Sequence, residues 1–206
     1  MKITNTEVCG FAAAMRGLRN PMNSHHLADS VNGEVFTIGP KDMDLAKRMI
    51  KGGAEERKFL RMIHVQCDID MPRYWWSEAD TYHFNTKNST STMHRLLNNK
   101  NPITLDLFVR CPEDEDIATL VVNRLEMLRQ QFKATKDYKE QNYLLLRAKR
   151  ILMEGFLQLR TFDSNYEEVW NMYKQRKPHR LKEEWYDVFC KWAESLPYFK
   201  EFFLED

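Results

Sequence analysis

With 206 residues, 43% of them hydrophobic and 12% aromatic, the chain can bury a core without disulfides or a structural metal, and it reads as a single domain over residues 1–206. Its 31 basic and 30 acidic residues leave a net charge of +1, so composition gives no electrostatic footprint for general binding to nucleic acid or to an anionic membrane. Four scattered cysteines, Cys9, Cys67, Cys111 and Cys190, form no Cys-x-x-Cys pair and no zinc spacing; they point to reduced, mostly buried thiols in a cytoplasmic protein. No stretch approaches the roughly 20 apolar residues of a membrane span.

Residues 1–20 predict a short strand and then a helix, with Pro21 in the turn that follows. The segment NPMNSHHLADS reads as a loop. Its His25-His26 pair makes a poor metal site, because adjacent side chains point in different directions, and no metal is expected. Glu34 to Gly39 reads as a strand, and Pro40 opens a helix whose Met43, Ala46, Met49 and Ile50 share one face until Gly52-Gly53 ends it. From His64 to Asp70, Val65, Cys67 and Ile69 alternate with polar residues as a half-buried strand requires, and Pro72 should end it. A helix from Arg73 carries Trp75 and Trp76, and FNTKNSTST reads as a polar loop leading to a helical start near Ser91. That stretch suits a binding cleft, although tryptophans at a strand-to-helix junction are more often core than a ligand platform.

Ile103 to Val109 is a short apolar element of undetermined type. After Pro112, the positions Ile117, Leu120, Val121, Leu128 and Phe132 fall on one side of a long helix, and another helix is expected from about Asp137 to Met153. Ser164 and Glu167 match a capping box that opens a helix with Tyr166, Val169, Trp170 and Tyr173 in one stripe, broken by Pro178. The last helix should bury Leu181, Trp185, Val188, Phe189 and Trp192 and stop before Pro197.

The seven glycines fall in neither a G-x-G-x-x-G nor a G-x-x-x-x-G-K-[ST] frame, which excludes the usual dinucleotide and P-loop phosphate sites. A G-x-S-x-G elbow and an H-E-x-x-H helix are also absent. An anionic ligand would therefore be held by arginines, with Arg73, Arg147, Arg150, Arg160 and Arg176 as candidates.

Two stretches carry a resemblance. Nine residues after Pro72, the chain reads T-Y-H-F-N-T-K-N-S-T-S-T-M-H from Thr81 to His94, and from Asn165 to Arg176 it reads N-Y-E-E-V-W-N-M-Y-K-Q-R. They resemble the R-H-R-x-x-S-x-N-E-x-S-x-R-Y and N-x-R-x-x-x-N-x-x-x-x-R signatures of the flavin-dependent thymidylate synthases. Asn88, Ser91, Asn165, Asn171 and Arg176 keep the family's residues, and Thr86 stands in for its first serine. Thr81 and His83 replace both arginines of R-H-R, and Glu167 replaces the arginine of the helix. Arg150 falls near the family's nucleotide-phosphate arginine when a gap of one residue is allowed. Phrases such as PRYWWSEADTY are also similar to a synthase-like subfamily common in phages, which would place the protein in the host cytoplasm.

The resemblance spans roughly residues 45–195. It implies an α/β (α+β) fold, with a small sheet packed against long helices, and a homotetramer with sites at subunit interfaces. It further implies bound FAD and methylation of the pyrimidine nucleotide dUMP from methylenetetrahydrofolate, with NADPH as reductant. On this basis Ser91 is the catalytic candidate, and Arg150 and Arg176 join Ser91 as nucleotide-binding residues. Asn88, Thr86, His83, Asn165 and Asn171 are the cofactor-binding candidates. The alternative is a non-catalytic homo-oligomer that kept the fold and binds another protein or nucleotide.

Overall fold

Strand β1 (Lys2–Cys9) turns into helix α1 (Phe11–Arg19) at Gly10, as expected for residues 1–20. Gly10 has φ 97°, and a Cβ there would lie 2.0 Å from the Met62 carbonyl oxygen, so the turn needs glycine on both counts. The structure, a computed structural model, describes residues 1–205.

The expected loop after Asn20 contains one 3₁₀ turn, His25–Leu27. The strand expected over Glu34–Gly39 shrinks to β3 (Phe36–Thr37), paired antiparallel with β2 (Val31–Asn32). The reason is that the next backbone donors go to side chains: Ile38 N–H to the Tyr198 hydroxyl and Gly39 N–H to Ser30 Oγ. Helix α2 (Pro40–Gly52) has proline in its first turn, and its buried Asp42 binds Arg19 and Ser30.

Strand β4 (His64–Pro72) buries Val65, Cys67, Ile69 and Met71, which fits the alternation in the sequence, and α3 (Arg73–Ala79) follows directly. The segment expected to be a polar loop contains strand β5 (Thr86–Ser89). It lies at the edge of a four-stranded sheet, where a strand can be polar because it has no need of a buried face. Helix α4 (Thr92–Arg95) is capped by Ser91, whose Oγ accepts the His94 N–H at 3.3 Å.

The element between Ile103 and Val109 is a 3₁₀ turn, Leu105–Leu107, followed by a bridge from Phe108 to Phe156. Helices α5 (Glu115–Ala134) and α6 (Tyr138–Ile151) come next. The face expected for α5 is displaced. Ala118, Val122, Leu125 and Leu128 are buried, whereas Ile117 and Leu120 are 61% and 72% exposed.

Strand β6 (Leu157–Asn165) was not expected, because its more buried face carries Gln158, Arg160 and Ser164 beside Phe162, whereas Leu159 on the other face is exposed. The chain ends with α7 (Tyr166–Arg176), a π-helix over Glu183–Cys190, α8 (Lys191–Glu194) and α9 (Phe199–Phe203). The sheet order is β1-β4-β6-β5. No helix among the described residues is long and apolar enough to cross a membrane.

By its packing the chain divides into two units. The first comprises residues 1–2, 69–81 and 88–160. Its core joins Val122, Leu125 and Leu128 of α5 to Leu144, Ala148 and Leu152, with Leu96, Leu97, Ile103 and Phe108 around them. Trp75 and Trp76 are fully buried in this unit, edge to face at 4.8 Å. Trp76 Nε1 donates to the Gln158 carbonyl at 2.9 Å, and the Arg160 guanidinium lies 4.2 Å from its ring. The tryptophan pair is therefore core and not the wall of a cleft.

The second unit comprises residues 3–68, 82–87 and the chain from Thr161 onward. Its centre is aromatic: Tyr166 meets Phe11 at 5.5 Å and Phe199 at 6.2 Å, and its hydroxyl donates to the Pro197 carbonyl at 2.6 Å. Trp185, Phe189 and Phe199 are fully buried there. Of the cysteines, expected to be mostly buried, Cys67 and Cys190 are buried while Cys9 and Cys111 are exposed.

Candidate functional site

The start of α7 differs from the capping box read in the sequence. Asn165 is the cap, with extended backbone and its Oδ1 accepting the Glu168 N–H at 3.1 Å. Ser164, one residue too early to reach that donor, instead donates from Oγ to the Phe84 carbonyl at 3.2 Å. The one-residue shift releases Glu167 from a capping role.

Glu167 faces two arginines. Arg57 Nε donates to its Oε1 at 3.2 Å, and Arg61 Nε donates to its Oε2. The bond to Glu167 pushes the Arg61 pKa above its ordinary value. Glu168 is buried, with Oε1 accepting the Phe84 N–H at 3.2 Å. Asn171, on the next turn, takes the Gln175 amide on its Oδ1 at 3.2 Å. Arg57, Arg61, Phe84, Asn165, Glu167, Glu168 and Asn171 line a recess of about 150 Å³ within the second unit. Its two guanidiniums and two carboxylates balance, leaving carboxamides and the exposed Phe84 ring as its neutral contacts.

Arg176 closes the other end of α7. Its Nε donates to the Tyr82 hydroxyl at 2.9 Å, and its guanidinium lies 5.4 Å from the Tyr82 ring and 4.7 Å from the Trp185 ring. Tyr82 in turn donates to Gln175 Oε1 at 2.9 Å. Two aromatic faces and a hydrogen bond thus fix the orientation of this cation.

In the first unit, Ser91 stands at the cap of α4, and the neighbouring Thr92 hydroxyl accepts from Lys149 Nζ at 2.6 Å. Burial pushes the Lys149 pKa down, and the positive charge of Arg73 adds to the effect. Arg73 itself pairs with Glu154 at 3.2 Å. Arg150 is exposed on the last turn of α6.

The structure thus brings Asn165 and Asn171 to one recess and fixes Arg176 at the far end of the same helix. Ser91, Asn88 and Arg150 belong to the first unit, and Thr86 and His83 are exposed residues of the second. Arg57 and Arg61 were open from the sequence as substitutes for the missing signature arginines; their pairing with Glu167 and the Lys149 contact to Thr92 were not. Arg57 and Arg61 precede β4 by only a few residues, and their charge was visible, but nothing local marked Glu167 as their partner.

No family model matches the sequence, and no curated protein matches it. Comparison of structures finds the flavin-dependent thymidylate synthase ThyX of Helicobacter pylori complexed with FAD and dUMP. The TM-score is 0.74 at 18% identity, over 100% of this chain and 99% of that one. A second structure of the same synthase with FAD and dUMP gives a TM-score of 0.72 at 18% identity, over 100% and 98% of the two chains. From end to end, this chain has the mixed α/β fold of a flavin-dependent thymidylate synthase.

Proposed function

We propose that this chain is a thymidylate synthase-like homo-oligomer, one synthase-like domain per chain, that binds a pyrimidine nucleotide of the dUMP class. The observation that carries the reading is Arg176. It keeps the place of the signature's last arginine and is held between Tyr82 and Trp185, a cation prepared for phosphate at little cost in side-chain entropy. In this reading Arg176 holds the phosphate and Asn171 orients the ring, while Arg150, Asn88 and Ser91 carry the phosphate, ring and reacting-carbon roles that the resemblance implies for them. The exposed Ile117 and Leu120 of α5, and Tyr143 and Leu146 of α6, supply apolar surface that further copies would cover. Native mass in solution tests that part, with a tetramer expected.

FAD is a separate matter, because the synthase signature places cations at positions where this chain has Thr81, His83 and Glu167. Arg57 and Arg61 are near enough to substitute, but both already bind Glu167, and the recess has no net positive charge. These residues do not fit a flavin diphosphate, nor with it the hydride and methyl transfer that would use FAD, NADPH and methylenetetrahydrofolate. The charge balance favours the second reading, a non-catalytic oligomer that retains a nucleotide.

Calorimetry with dUMP, on wild type and Arg176→Ala, tests the nucleotide site. Loss of a charge-assisted phosphate bond of about 1.5–3 kcal/mol should weaken binding roughly 10- to 150-fold. Unchanged binding would remove Arg176 from the site. The visible spectrum of the purified protein, before and after adding FAD, tests the flavin argument, and stoichiometric flavin absorption would overturn it.

A further inference from the structure

The near-neutral total charge conceals a strong local segregation. From Lys174 to Lys182 the chain reads KQRKPHRLK, with five lysines and arginines, one histidine and no acid in nine residues. Pro178 stops α7, and the chain turns with His179 N–H on the Arg176 carbonyl at 3.0 Å and Leu181 N–H on His179 Nδ1 at 3.2 Å. The turn leads into the π-helix, so cations on either side of it border the same groove. Lys174, Lys177, Pro178, His179, Lys182 and Tyr186 line this open groove of about 660 Å³, and no carboxylate is among them. Glu183 and Glu184 follow Lys182 directly, outside the groove lining and with Glu184 buried; Asp187 pairs with Lys191 at 3.1 Å and Glu194 accepts the Tyr173 hydroxyl at 2.6 Å.

Aromatic rings interleave with these lysines. The ammonium of Lys174 lies 5.3 Å from the Trp170 ring, that of Lys177 5.3 Å from Tyr173, and that of Lys182 5.7 Å from Tyr186. Such contacts hold the long stems on the surface without neutralising the charge. Three separate ammonium groups along a groove suit successive phosphates better than a single carboxylate, which a planar guanidinium recognises more closely. A ring in the lining suits an unstacked base, and bases are unstacked in a single strand.

We propose that this groove binds single-stranded nucleic acid, with its phosphates on Lys174, Lys177 and Lys182 and a base against Tyr186. Arg176 does not line the groove, so the inference stands apart from the nucleotide reading.

The test is fluorescence anisotropy of the full chain with a labelled oligothymidylate of about 12 nucleotides, within the usual single-strand site sizes. It is run between about 50 and 200 mM salt, beside a duplex of equal length and with polyglutamate as competitor. The log of the affinity should fall linearly with log salt. The triple variant K174Q/K177Q/K182Q should bind at least about tenfold more weakly at the lowest salt, with a slope shallower by about 2, since each single-strand phosphate contact contributes about 0.7. Its melting temperature and dUMP binding should stay at the wild-type values, which separates this failure from failure of the nucleotide site. Tyr186→Ala should weaken binding with the slope unchanged. No binding at the lowest salt, equal binding by the triple variant, preference for the duplex, or equal displacement by polyglutamate would each overturn the proposal. So would a fall in native mass in the triple variant, which would assign the groove to another copy of this chain.

Discussion

Restoring the signature's arginine at position 167 should damage this protein. Glu167 is 13% exposed and takes one arginine on each carboxylate oxygen, Arg57 at 3.2 Å and Arg61 on the other side. The substitution Glu167→Arg removes both bonds and brings three guanidiniums together. A charge-assisted bond contributes about 1.5–3 kcal/mol, which is a fair measure for Arg57 at 22% exposure. Arg61 is 53% exposed, so its share is discounted to the surface-pair range of about 0–1 kcal/mol, and it can swing into solvent to lessen the repulsion. The net expectation is a loss of about 2–3 kcal/mol, or about 4–12 °C in melting temperature for a chain of this length.

Thermal and urea unfolding, followed by circular dichroism, measure this loss. Glu167→Gln should lose less, because it keeps the shape and adds no charge. The swap E167R/R61E should recover part of the loss, because it returns the charge balance. Equal stability of wild type and E167R, or a swap no better than E167R, would refute the reasoning.

Three further outcomes follow from the packing. Glu126 takes Arg129 at 2.7 and 2.6 Å and the Ile103 N–H at 2.9 Å, and the Arg129 bond holds its carboxyl at about 2, below the ordinary 4.5. A depressed pKa means stability that is complete above about pH 4.5 and lost as the pH falls through about 2; the urea midpoint should fall across that window, and Glu126→Gln should remove that part of the pH dependence. Burial pushes the thiols of Cys67 and Cys190 up to about 12, so a thiol titration of native protein at mildly alkaline pH should count two fast groups, Cys9 and Cys111, and four after unfolding. Four fast thiols in native protein would contradict the fold. Trp76→Ala should cost about 3–5 kcal/mol in urea unfolding, because it empties a fully buried site and strands the Gln158 carbonyl.

The order and character of most elements were legible in the sequence, because short-range signals specify them. Alternation marked β4, proline and glycine bounded α2, and the Tyr166–Tyr173 stripe marked α7. Where the sequence misled, the deciding interactions were long-range. Strand β5 is polar and is a strand because of its place at the sheet edge, and β6 lies inside the sheet although its more buried face is largely polar. The inward face of α5 is set by its packing against α6, which left Ile117 and Leu120 outside.

The site shows the same division. The sequence by itself determined which signature residues are present and which are replaced, including the unexpected Glu167. Only the tertiary structure decided what Glu167 does, because its partners Arg57 and Arg61 lie more than 100 residues away in the chain. A net charge of +1 likewise could not show that Lys174, Lys177 and Lys182 line one groove with no carboxylate in its lining. Composition sums charges over the whole chain, whereas Coulomb forces and hydrogen bonds act over a few ångströms, and only folding sets those distances.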